Sequence, residues 1–110
     1  MSNFIVDKSG PNGLVGVFED DGDTGYFYLY DVGGETILGD LQIYNDAKAL
    51  KFDEHDVEVV WSSDEQKCGV RILNGMRGII DVKGNMKVNS KLESRDSVPI
   101  TDPYWLEGFK

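Results

Sequence analysis

Apolar side chains in this chain recur at alternate positions for short stretches, and glycine, asparagine or aspartate then interrupts them. Period two is the signature of a strand with one buried face. Phe4 to Val6 and Leu14 to Phe18 predict two strands, separated by Ser9-Gly10-Pro11-Asn12-Gly13. Tyr26-Phe27-Tyr28-Leu29-Tyr30 predicts a third, with Phe27 and Leu29 on one face and Tyr26, Tyr28 and Tyr30 on the other. The acidic run Glu19-Asp20-Asp21-Gly22-Asp23-Thr24-Gly25 joins the second to the third as a hairpin loop, where Gly22 and Gly25 tolerate positive φ. Past the turn at Val32-Gly33-Gly34-Glu35, Ile37, Gly39, Leu41 and Ile43 are expected on an inner face, with Leu38, Asp40, Gln42 and Tyr44 opposite.

The second half repeats the scheme. Val57, Val59 and Trp61 alternate with Glu58 and Val60, and Ser62 to Gln66 turns the chain. Cys68, Val70 and Ile72 then face away from Lys67 and Arg71. Asn74-Gly75 between two apolar runs is a strong hairpin signal. It leads into a strand with Met76, Gly78, Ile80 and Val82 on one face and Arg77, Ile79 and Asp81 on the other. Arg71 and Arg77 are expected in solvent. Lys83-Gly84-Asn85 predicts a tight turn before a short strand at Met86 to Val88, and Lys83, Lys87 and Lys91 are placed to discourage edge pairing. Asn45 to Asp56 reads as loop, with Asn45 or Asp46 able to cap a helical turn through Ala47 to Leu50. Residues 90 to 101 read as loop. Thr101 or Asp102 before Pro103 predicts a helical turn that carries Tyr104, Trp105, Leu106 and Phe109 over the sheet.

Composition supports this reading. The chain holds 11 Val, 7 Ile and 12 aromatic residues against 2 Ala, a bias toward pleated surfaces and away from helices. At 110 residues it has room for one core. The expected fold is mainly β: a single domain over residues 1 to 110, built as an antiparallel meander in a partly closed barrel or small sandwich, with a short C-terminal helix. Apolar runs are too short to span a membrane as a helix, and the first residues lack the layout of a secretory leader. The one cysteine, Cys68, excludes an internal disulfide and fits a reducing, cytoplasmic setting.

Charge narrows the partners. The net charge of −9 repels phosphate backbones and anionic lipid, which argues against nucleic acid and membrane. Residues 1 to 55 carry 11 acids and 3 bases, whereas residues 56 to 110 carry 9 acids and 8 bases. The negative excess therefore sits beside the predicted tyrosine face. Aromatic residues are enriched at interface centres, and a field of one sign steers a partner of the other. Glu19, Asp20, Asp21, Asp23, Tyr26, Tyr28 and Tyr30 are the expected contact residues for a basic protein partner. Pairing of the same face with a second copy, as a homodimer, is the competing association.

Catalytic and metal chemistry find little support. Counted from Asp21, a calcium loop needs an oxygen ligand at its fifth position, glycine at its sixth and a bidentate acid at its twelfth. This chain has Gly25, Tyr26 and Val32 there. An enzyme or cation binder that uses Asp20, Asp21 and Asp23 is the rival reading. His55, the sole histidine, stands in a charged loop without a nucleophile, and Cys68 lies on an apolar strand face. One Cys and one His cannot build a zinc site, and the glycines match neither a P-loop nor a dinucleotide fingerprint. No cofactor is expected.

The run Gly16 to Tyr28, read with Leu41-Gln42-Ile43-Tyr44-Asn45, Val60-Trp61-Ser62-Ser63-Asp64 and Ile72-Leu73-Asn74-Gly75, resembles a conserved family of small bacterial proteins of unknown function. The resemblance spans roughly residues 14 to 82, and its acidic hairpin is the most specific part. It implies a cytoplasmic bacterial protein with no assigned reaction or cofactor.

Overall fold

A computed structural model describes residues 3–46, 50–82, 86–94 and 96–109. Eight strands run in chain order: β1 Phe4–Ser9, β2 Leu14–Asp20, β3 Gly25–Asp31, β4 Thr36–Tyr44, β5 Val57–Trp61, β6 Lys67–Ile72, β7 Gly75–Asp81 and β8 Lys87–Asn89. They form two four-stranded antiparallel meanders, β1-β2-β3-β4 and β5-β6-β7-β8. The two sheets face each other as a small sandwich and do not close into a barrel. One short helix, α1 Pro103–Leu106, follows Asp102, whose carboxylate accepts the Tyr104 N–H as its cap. The helical turn considered at Ala47 to Leu50 and the turn at Lys83-Gly84-Asn85 fall on residues outside the described set, Leu50 excepted.

The interior is what the alternation predicts. Phe18, Phe27, Leu29, Leu41 and Ile43 from the first sheet meet Val57, Val59, Cys68, Val70, Ile72 and Ile80 from the second. Gly16 and Gly78 let the sheets approach. A Cβ on Gly16 would collide with Cys68 Sγ, and one on Gly78 would crowd Ile43 and Leu41 at 3.0 and 3.1 Å. The two seams differ from ladder pairing. At one, Trp61 Nε1 donates to the Lys8 carbonyl at 3.0 Å. At the other, Lys87 Nζ donates to the Asp40 carbonyl at 2.8 Å, Asn89 Nδ2 to the Gln42 carbonyl at 3.0 Å, and the Leu92 N–H to the Ile43 carbonyl at 2.8 Å. Lys87 and Lys91, expected to guard an edge, instead reach across to β4; Lys91 donates to Gln42 Oε1 at 3.3 Å.

Where the structure departs from strict alternation, a register shift is the cause. Pairing slips between Leu29 and Tyr30, so Ile37 lies opposite Tyr30 and is 54% exposed rather than inward. A second slip at Gly25/Tyr26 turns Tyr44 inward, where its ring stacks over Gly25. In β7 the shift at Val70/Arg71 sets Met76 opposite Arg71 with its sulfur over Gly69, and so takes it off the core face. An extra residue in one strand has this effect because it flips the parity of all that follow. The β6–β7 turn also falls one residue early: Leu73 (φ 53°) and Asn74 (φ 69°) are its two central residues, and Gly75 begins the strand. Positive φ at both positions matches the twist a two-residue hairpin needs.

Arg77 is the clearest correction. It is 4% exposed, not solvent-facing. The chain after β8 bonds back to β7: the Ser90 N–H donates to the Arg77 carbonyl, the Ile100 N–H to the Met76 carbonyl, and Arg77 Nη2 to the Ser97 carbonyl at 2.7 Å. Lys67 Nζ then ties down the end of the chain, donating to the Trp105 carbonyl at 3.1 Å and sitting 5.6 Å from the Phe109 ring centre. Ile79, on the outward side of β7, is fully buried as well.

Candidate functional site

The outer face of the first sheet has a different fate. Cross-strand register arranges it in three rows. Ile5, Glu19, Tyr26 and Gln42 form the row nearest the acidic loop; Asp7, Val17, Tyr28 and Asp40 form the middle row; Ser9, Val15, Tyr30 and Ile37 form the far row. Phe18 and Phe27, one residue out of step with these positions, fill the core, so parity fixes the tyrosines outward. Ile5 and Tyr26 are exposed, Tyr28 and Tyr30 half-buried, and Val17 is buried among its neighbours.

Polar contacts hold this surface in place. Tyr28 Oη donates to Glu19 Oε1 at 2.7 Å, and Gln42 Nε2 donates to Tyr26 Oη at 3.4 Å. Partial burial, the bond to Glu19 and the nearby charges of Glu19 and Asp7 push the Tyr28 phenol up to about 12. It is therefore a neutral donor at any ordinary pH, and it orients the Glu19 carboxylate.

The acidic residues do not act as one group. Glu19 and Asp20 are the last residues of β2 rather than loop. Asp20 shares the parity of Gly16 and Phe18 and is 6% exposed. Its carboxylate accepts from the Tyr44 hydroxyl and from the Gly22 N–H. Burial, together with the bond to Asp20, drives the Tyr44 phenol far above its ordinary range. Asp21 is exposed and caps the loop, accepting from the Thr24 N–H at 2.7 Å, the Asp23 N–H at 2.9 Å and Thr24 Oγ1 at 2.9 Å. These bonds, with the Thr24 N–H foremost, hold its carboxyl below the usual range. Asp23 lies exposed beside it. Of the seven expected contact residues, Glu19, Asp21, Asp23, Tyr26, Tyr28 and Tyr30 thus belong to one open surface and its rim, while Asp20 anchors the hairpin from below. Among the described residues, no three His, Cys, Asp or Glu side chains are grouped to hold a metal ion.

Two depressions deserve placing. One of about 390 Å³ opens beside the acidic loop, between Phe4, Ile5, Glu19 and Asp21. A larger one, about 560 Å³, lies elsewhere, between His55, Asp56, Glu58, Arg71 and Asn74. There His55 Nδ1 is 3.3 Å from Asp53 Oδ1 on open surface, and Arg71, expected in solvent but half-buried, pairs with exposed Glu58 at 3.1 Å. No local pattern marks this cleft, because it forms only where the start of β5 meets the β6–β7 turn.

Fold and surface together define a small two-sheet β protein with one outer face covered by its own C-terminal segment and the other open, acidic and aromatic. The chain belongs to a family of uncharacterised proteins conserved in bacteria, DUF2251, whose family model matches residues 2–98. That span takes in every strand of both sheets and stops short of Pro99 and α1. No curated protein and no solved structure gives a match. Among the described residues no helix is long and apolar enough to cross a membrane.

Proposed function

We propose that this protein is a non-enzymatic binding module of the bacterial cytoplasm whose first sheet meets a basic protein. The observation that carries the reading is the open outer face of that sheet: three outward phenols beside Glu19, Asp7 and Asp40, rimmed by Asp21 and Asp23. Rigid, half-exposed aromatics offer contact area at little entropic cost, and surrounding carboxylates draw in a partner of opposite sign. A single buried thiol suits the reducing compartment the reading assigns. Small acidic proteins that cover a basic effector, as immunity proteins and antitoxins do, work on this principle.

The test is capture from a native bacterial lysate with the wild-type protein and a Tyr28→Ala, Asp21→Lys double variant in parallel. The expected partner is basic, is retained by wild type and lost by the variant, and associates more slowly as salt rises from about 50 to 500 mM, because screening shortens the reach of the acidic field. An association rate indifferent to salt removes the electrostatic basis of the reading.

A further inference from the structure

The register shift at Leu38 gives the open face a second chemistry at the end remote from the acidic loop. Strict alternation would hide one of Ile37 and Leu38; the shift leaves both in solvent, at 54% and 43% exposure. Ile37 sits in one row with Tyr30 and Val15, and exposed Val32 follows in the adjoining turn. Four residues along β3 separate this apolar corner from Tyr26 and the acidic rim, about 13 Å at the rise of a strand. A bulge that spends two large aliphatic side chains on water is otherwise a liability at a sheet surface.

We infer that the occupant of this face is a basic segment with an aliphatic anchor: its cations lie toward Glu19, Asp21 and Asp23, and one or two aliphatic side chains seat on Tyr30, Ile37 and Leu38. The inference rests on the proposed function and adds the orientation of the partner. Charge decides against a second copy as occupant, because the half of the chain that builds this face holds 11 acids and 3 bases and would meet its own sign. The apolar corner supplies the contact that survives salt, and the acidic end supplies direction.

Two eight-residue synthetic peptides of equal charge test this, one of Lys, Arg, Gly and Ser, the other with two leucines replacing Gly and Ser at one end. Backbone amide shifts are followed by NMR in the full-length protein at low salt. The leucine-bearing peptide is expected to bind about tenfold tighter and to shift Tyr30, Ile37 and Leu38 as well as Glu19 and Tyr26. An Ile37→Ser, Leu38→Ser variant, altered only at exposed positions, is expected to lose that tenfold while its shifts at Glu19 and Tyr26 persist. Equal binding of both peptides at the acidic end alone overturns the anchor and leaves the proposed function standing. No shift at Glu19, Asp21, Asp23 or Tyr26 with either peptide removes the proposed function itself. A wild-type dimer by light scattering that Ile37→Ser dissolves makes a second copy the occupant and overturns the inference.

Discussion

The two sheets bury one interior between them, yet their outer faces have opposite fates. On the second sheet Ile79, Met76 and Arg77 point outward from the core and are nonetheless buried, Arg77 bonded to the Ser97 carbonyl and Met76 beside Pro99, Ile100, Leu106 and Phe109. On the first sheet the equivalent positions are Tyr26, Tyr28, Tyr30 and Ile37, and they remain open or half-open. An outward apolar residue therefore has two meanings in this molecule. Under the tail it is a second layer of core, whereas on the first sheet it is contact area held for something else.

The largest effects should separate the two faces by stability. Ile79→Ala is expected to lower unfolding free energy by about 2–5 kcal/mol, the range for truncating a fully buried aliphatic side chain. Ile37→Ala should change it by no more than about 0.5 kcal/mol, as exposed substitutions do. Urea denaturation of both variants measures the contrast, and equal losses would erase it. Next in size is the difference between the two tyrosine–carboxylate pairs. Tyr44→Phe strips a partner from buried Asp20 and should cost about 1–3 kcal/mol, because it leaves a buried carboxylate short of a donor. Tyr28→Phe should cost less than about 1 kcal/mol, because Glu19 recovers solvent. Melting temperatures of the two variants give the order directly.

A smaller effect should run the other way. Arg77 is held by one bond to Ser97, its Nε and Nη1 find no partner among the described residues, and burial lowers its proton affinity. Replacement by an apolar side chain of similar length, Arg77→Met, is expected to leave stability unchanged or raise it by about 1 kcal/mol. A loss beyond about 2 kcal/mol in a thermal melt would show that the guanidinium is better satisfied than this, and that the cover depends on it.

The smallest difference concerns alkaline pH. The Tyr28 phenol is raised from 10.0 and the Cys68 thiol from 9.0, each to about 12, and for both desolvation is the main cause. The folded chain thus keeps protons that the unfolded chain releases. The stabilisation is complete below about pH 9 for the thiol and pH 10 for the phenol, and it drains away as pH rises toward 12. Urea midpoints at pH 8, 10 and 11 should fall progressively. Tyr28→Phe should make the fall between pH 10 and 11 shallower, leaving the parts that Cys68 and the still more strongly raised Tyr44 phenol contribute.

Strands, their order and the core face were legible in the sequence because period two and turn chemistry are local properties. Phe18, Phe27, Cys68 and Val70 could be placed from their neighbours alone, and Asp102-Pro103 announced its helix. What local pattern does not carry is register. Ile37, Tyr44 and Met76 each changed face because a partner strand lacked a residue, and nothing in their own surroundings marks that. Asp20 looked like Asp21 and Asp23 by composition, although its parity with Phe18 was a signal available for reading it inward. The partner of Arg77 is Ser97, in a stretch after β8 that has no periodicity and so held no hint of where it would lie. Of the open face, the three phenols and the exposed acids were legible; its apolar corner was not.

Cys68 carries a practical consequence. Its sulfur is wholly enclosed where Gly16 of one sheet meets the other, and its thiolate is suppressed at neutral pH. An alkylating reagent can reach it only when the sandwich parts. Since it is the chain's one cysteine, the rate at which the native protein takes up label clocks those openings at a single atom, with no probe engineered in. The same clock, run with and without a bound partner, would report how tightly that partner locks the two sheets together.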